Sequence, residues 1–215
     1  MIQNINAIEE ALLSIFNYLG LFVFAISGAA AGIRRQTDLF GIAVLAFSAA
    51  CFGGIIRDVL IGSLPPANIM SWEPLATSLL ATAATVFFYP YLAEKLNNPV
   101  QVFDAFGLGL FTVIGVEKAL VYGVGPVWAV VLGMITAVGG GMVRDILLAH
   151  VPMVLRGEIY ATASIAGGSI AVAGYIWPVV PPQYTMILGA AVCIVLRCLT
   201  IKYHWTIPTV RVRKK

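Results

Sequence analysis

Histidine, cysteine and charge are the scarce ingredients of this 215-residue chain. Only two histidines occur, His150 and His204, and neither belongs to a Cys/His cluster with metal-ligand spacing. The three cysteines (Cys51, Cys193, Cys198) lie within apolar runs and read as small hydrophobes rather than redox groups. No phosphate-cradling glycine loop, no Ser-His-Asp set and no pair of catalytic carboxylates can be assembled, so no catalytic residue is assigned and no enzyme is expected. Charged residues make up 11% of the chain, where a soluble domain carries about a quarter. What is present is apolar: 60% of residues are hydrophobic and the mean hydropathy is +0.94. The 21 glycines and 11 prolines punctuate apolar runs instead of replacing them, so they do not indicate disorder. The composition implies an all-α integral membrane protein forming a single transmembrane domain over residues 1–215. The N-terminal segment lacks a basic n-region, so the first apolar run is expected to be retained.

Seven runs are long enough for a bilayer, which needs ~20 residues at 1.5 Å each. They lie near 12–33, 39–61, 74–92, 103–122, 127–149, 159–177 and 184–203. One set of loops and the basic tail (204–215) would hold Arg34, Arg35, Lys95, Arg156, Lys202, Arg211, Arg213, Lys214 and Lys215, whereas the opposite set holds no Lys or Arg. That asymmetry places the C-terminus in the cytoplasm and the N-terminus outside, in a multi-pass cell (inner or plasma) membrane protein. The basic tail reads as a topology anchor ahead of a specific anionic-lipid site.

The chain matches itself at a shift of 87 residues from Phe16 to Pro65. Gly20, Phe24 and Gly28 fall on Gly107, Phe111 and Gly115, and Gly53, Gly54, Arg57 and Asp58 fall on Gly140, Gly141, Arg144 and Asp145. After a two-residue slip, Glu73 approximates Glu158. Each copy (about 10–92 and 99–177) contains three spans, so the second sits upside down and a seventh helix (about 184–203) is appended. Inverted repeats tend to place solute or ion sites at their interface, and Gly-interrupted spans at equivalent positions are the best pointer to them.

Here those are Phe52-Gly53-Gly54-Ile-Ile-Arg57-Asp58 and Gly139-Gly140-Gly141-Met-Val-Arg144-Asp145. Adjacent glycines permit a kink or a local unwinding, and freed carbonyls facing water are ligands for a dehydrated cation. The competing use of glycine is close helix packing, which suits Gly28-Ala-Ala-Ala-Gly32 better. A charge inside a span costs ~2.5–3.5 kcal/mol on insertion scales and marks function by default. Along straight helices Arg57 falls near the external end and Arg144 near the cytoplasmic end, so the two motifs bracket the membrane. Asp104 is then level with Arg144, and Lys118 with Arg57 and Asp58. The resulting pairings are Asp104–Arg144 inside and Lys118–Asp58 outside, with Asn17, the repeat equivalent of Asp104, as a cap for Arg57. Glu117 stands beside Lys118 as a further charge partner. Two alternatives stay open: arginines that snorkel to headgroups, and a Lys118–Asp58 bond that only holds helices together.

The doubled Gly-Gly-Gly-x-x-Arg-Asp-x-Leu-Leu pattern with its following proline resembles the prokaryotic branch of the TRIC family, the trimeric intracellular cation channels. So do Ser27-Gly28, Asp38-Leu-Phe-Gly41 and Lys118-Ala-Leu120, and the resemblance covers about residues 10 to 203. It implies seven spans, a symmetric homotrimer and one cation path per protomer favouring potassium. The glycine-kinked second and fifth spans would line that path beside the first and fourth. Carried over by position, the pore and gating residues are Gly53, Gly54, Arg57, Asp58, Lys118, Gly139, Gly140, Gly141, Arg144 and Asp145. Phe52 departs from the pattern, standing where the family usually has its first glycine.

A potassium-permeable channel is the leading reading. A secondary carrier for a small zwitterion such as glycine is the runner-up, because the Arg-Asp pairs suit a ligand with two charged ends. A non-transporting scaffold is the third. No cofactor is implied beyond permeant K+ or Na+, with bound lipid left open. Membrane lipid and further copies of the chain are the expected partners, and neither nucleic acid nor another protein is inferred.

Overall fold

The computed structural model describes residues 2–156, 159–177 and 180–205. Glu158 and the tail residues Arg211, Arg213, Lys214 and Lys215, all used in the reading above, lie outside the described residues. The chain forms α1 (Ile2–Arg34), α2 (Leu39–Leu60), α3 (Ala67–Met70), α4 (Glu73–Lys95), α5 (Pro99–Val121), α6 (Pro126–Leu147), α7 (Ala161–Ile176) and α8 (Pro182–Tyr203). A 3-10 turn, Met153–Leu155, separates α6 from α7, and no strand occurs among the described residues. Six helices (α1, α2, α4, α5, α6 and α8) are long and apolar enough to cross a membrane. The sixth of the seven expected spans is the 16-residue α7, which at 1.5 Å per residue falls short of a bilayer core of about 30 Å.

Local chemistry sets the helix ends. Proline occupies the first turn of α4, α5, α6 and α8, where its fixed φ suits a helix and its missing N–H costs nothing. Asp38 caps α2 by accepting the Gly41 N–H at 2.7 Å. At the other end of α2, Gly62 takes φ +73°, and the Ser63 N–H reaches back to the Asp58 carbonyl at 2.8 Å. The same closure ends α5 at Gly123, with φ +75°, and α6 at Ala149, with φ +54°. Ala149 aligns with Gly62 at the 87-residue shift and holds a left-handed conformation that costs an L-residue about 1–2 kcal/mol. Ala149→Gly is therefore expected to raise stability by about 0.5–1 kcal/mol after the entropic cost of glycine. Thermal unfolding in detergent reads it, and an unchanged or lowered midpoint would contradict it.

Packing places α5 at the centre, against α1, α6, α7 and α8, while α2 packs against α1, α4 and α6. One core layer is a reciprocal contact between α1 and α5. The Phe24 and Phe111 rings meet at 5.2 Å between centroids, Phe111 lying over Gly20 and Phe24 over Gly107. Buried cysteines Cys51 and Cys193 contribute to the same apolar core. Large apolar side chains on the outer face of α4, including Leu80, Phe87 and Phe88, are exposed, as an apolar surround requires.

The glycine motifs depart from the expectation of a broken helix. Both α2 and α6 run as single helices through their glycines. A Cβ on Gly53 would stand 1.9 Å from the Thr136 carbonyl oxygen, and one on Gly140 would stand 1.9 Å from that of Ala49. These two glycines thus let α2 and α6 cross at backbone contact, and the packing keeps the helices from unwinding there. Gly28, too, is seated on backbone, 2.3 Å from the Leu45 carbonyl by the same measure.

Candidate functional site: two buried charge clusters

Each motif ends in an arginine and an aspartate one residue apart, and each pair is buried. On α2, Arg57 Nε donates to Asp58 Oδ1 at 2.9 Å. The same carboxylate oxygen receives Lys118 Nζ from α5 at 2.8 Å. Its other oxygen accepts the Ala67 N–H at 2.9 Å, from the segment that folds back after α2. Asp58 is thereby satisfied from three directions, with its side chain only 1% exposed, against 21% for Lys118. The glycine next to the crossing, Gly54, leaves room for this group: a Cβ there would press on the Asn68 amide, 2.8 Å away, beside the Arg57 guanidinium. Asn68 itself donates to the Cys51 carbonyl at 3.0 Å.

On α6, Arg144 repeats the pattern and extends it. Its Nε donates to Asp145 Oδ1 at 2.9 Å, and the second Asp145 oxygen accepts the Met153 N–H at 3.0 Å. Its Nη1 donates to Asp104 at 2.8 Å and to the Ser27 hydroxyl at 2.7 Å. The Ser27 hydroxyl in turn donates to the Val100 carbonyl at 2.8 Å. Arg144 is fully buried, which is tolerable because its charge is paired with two carboxylates and its Nε and Nη1 donate hydrogen bonds, while Nη2 rests in ion-pair contact with Asp145 at 2.9 Å. Gly141 makes the space, since Asp104 Oδ1 and the Tyr160 hydroxyl both lie 3.2 Å from the position its Cβ would take.

The proposed charge partners divide. Asp104 meets Arg144 and Lys118 meets Asp58. Asn17 is half-buried on α1 and makes no hydrogen bond to Arg57, which Asp58 alone holds among the described residues. Glu117 lines a small cavity with Tyr175 and Met186 on another face of α5. Phe52 is half-buried beside the crossing, and Gly139 rests against Gly53. Asp104 and Lys118 are 14 residues apart on α5, so the clusters lie about 21 Å from one another along that helix.

Their charges are not equivalent. The α2 cluster joins two cations to one carboxylate, whereas the α6 cluster joins one cation to two carboxylates. At the 87-residue shift Asp104 aligns with Asn17 and Lys118 with Ala31, and these two differences account for the opposite charge balance.

Three contributors escape a reading based on motif and depth. Ser27 bridges α1 to α6. Arg197 of α8 is fully buried, its guanidinium 4.7 Å from the Tyr160 ring, which links α8 to the α6 cluster. The returning amides of Ala67 and Met153 complete the aspartates. Arg197 had a visible signal, a charge within an apolar run, and Ser27 stood in the Ser27-Gly28 motif without a role attached to it.

Comparison with known proteins follows the same positions. The family model described as glycine transporter matches residues 14–90 and 101–175. The UPF0126 inner membrane protein YadS of Escherichia coli strain K12 is 36% identical over 191 residues, 89% of this chain and 92% of that protein. A UPF0126 membrane protein of Vibrio cholerae is 36% identical over 213 residues, covering 97% and 87% of the two chains. A solved TRIC cation channel is similar at TM-score 0.82 and 37% identity, over 94% of this chain and 98% of that one. The TRIC trimeric intracellular cation channel orthologue from Rhodobacter sphaeroides is similar at TM-score 0.82 and 31% identity, over 90% and 98%.

Proposed function

This chain belongs to the TRIC family, and on that premise we propose that it is a potassium-permeable cation channel with one path per protomer of a homotrimer. The path runs along the seam of α1, α2, α5 and α6, with Gly53, Gly54, Gly139, Gly140 and Gly141 shaping it and the two charge clusters standing at its ends. In this reading three helices of each half are related by inversion, α7 counts as a span, and α8 is the appended seventh. The membrane is the cell membrane, with the N-terminus outside and the α1–α2 loop in the cytoplasm, as the gathering of Arg34, Arg35 and Arg156 at one end favours.

The observation that carries the proposal is the opposite sign of the two clusters. Asp104 and Asp145 leave the buried α6 cluster itself with one negative charge in excess of Arg144, a local attraction for a passing cation that lies behind the exposed Arg34, Arg35 and Arg156. At the other end Lys118 adds positive charge beside Arg57, and a cation passing there needs it shielded or withdrawn. Lys118 is the more exposed member of its pair and the one on a long, flexible stem. It therefore acts as the movable element, with Asp58 as its resting partner.

A carrier for a small zwitterion such as glycine is the second reading, favoured by the description of the matched family. Reconstitution into liposomes under a potassium gradient, with voltage clamp, separates the two. Unitary current steps carried by potassium are the expected result. Saturable glycine flux without unitary steps would replace the channel by the carrier.

A further inference from the structure

A cavity of about 520 Å³ opens beside the α6 cluster and is lined by Arg34, Arg35, Arg144, Arg156, His150 and the single carboxylate Asp145. Its charge is unbalanced in a specific way. Arg35 Nη2 lies 3.4 Å from His150 Nδ1, and Arg156 Nη2 lies 3.2 Å from the same atom. Two guanidiniums from separate segments thus converge on one imidazole nitrogen, which carries no negative charge to offset either of them. Among the described residues no carboxylate forms an ion pair with Arg34, Arg35 or Arg156. Asp145 is already committed to Arg144 and to the Met153 N–H.

Like charges held this close repel unless an anion joins them, and the planar forks of arginine match phosphoryl oxygens in pairs. We propose that this cavity is a binding site for a phosphoryl group, received between Arg35 and Arg156 with Arg34 at the rim. The chemistry is shared by a free phosphate and by a lipid phosphomonoester headgroup. Arg144 stays with its carboxylates and serves only as the floor.

Thermal unfolding of the purified protein in uncharged detergent tests the site. The probes are inorganic phosphate and short-chain phosphatidic acid, with chloride and phosphatidylcholine as references. The wild type is expected to be protected by at least one phosphoryl probe and by neither reference. In Arg35→Gln/Arg156→Gln the concentration for half-maximal protection should rise about tenfold or more for each arginine lost. Both side chains are exposed, and removing two like charges should leave the variant's midpoint in chloride at or above that of the wild type, which certifies folding. Protection by both probes assigns recognition to the phosphoryl group itself, by the lipid alone to a headgroup, and by phosphate alone to a soluble anion. Absence of protection by either probe, or protection equal in the double variant, would overturn the site. Ion flux does not enter the readout, so failure here is distinct from failure of the channel reading.

Discussion

Asp58→Ala is expected to lower stability by about 3–5 kcal/mol, the cost of removing one partner from a buried ion pair. The carboxylate is buried and answers three donors at once: Arg57, Lys118 and the Ala67 N–H. Its loss leaves two cations facing one another and a backbone amide without its acceptor. Lys118→Met in that background should recover about 1–3 kcal/mol, because it removes one of the stranded charges. The same substitution in the wild type should cost stability, and this change of sign identifies direct pairing. Unfolding midpoints of the four proteins complete the cycle. Equal effects of Lys118→Met in both backgrounds would dissolve the pair, as would failure of a charge exchange between positions 58 and 118 to restore any loss.

Gly140→Ala is expected to be damaging as well. Its new methyl would occupy a point 1.9 Å from the Ala49 carbonyl oxygen, and backbone cannot swing aside as a side chain does. Either α2 and α6 separate or α6 rotates, with an overpacking cost of at least about 1–3 kcal/mol. Potassium flux should fall with it, because the crossing sets where Arg57 and Arg144 stand. Gly125→Ala, with nothing within 4 Å of its Cβ, should behave as wild type. From sequence, Gly28→Ala is the mild comparison. Its position 2.3 Å from the Leu45 carbonyl now puts it beside Gly140→Ala in severity. Wild-type flux and stability for Gly140→Ala would remove the close crossing as a determinant of function.

The legible part of the site followed from arithmetic along single helices. Depth alone places Asp104 level with Arg144 and Lys118 level with Asp58, and the structure joins both pairs at 2.8 Å. Equivalence to Asp104 in the self-match pointed to Asn17 as a cap for Arg57, where no hydrogen bond forms. Depth specifies height but leaves open which way a residue faces, and rotation about the axis depends on what packs alongside. For the same reason adjacent glycines were ambiguous. In isolation they weaken a helix. Between α2 and α6, Gly53 and Gly140 are the places where two backbones touch, while Gly54 and Gly141 make room for guanidiniums and their partners.

From sequence alone come the membrane class, the places of the apolar helices, the doubling of the glycine–arginine–aspartate motif and the ends at which its charges lie. Each is a property of composition or of linear distance along a helix with constant rise. Only the tertiary structure decided that Ser27 and Asp104 share Arg144, that the Ala67 and Met153 amides close over the two aspartates, that Arg197 lies over Tyr160 and that three exposed arginines surround one cavity. Those contacts join segments far apart in the chain. Helix rotation, crossing distance and loop return create them, and no local pattern of residues encodes any of the three.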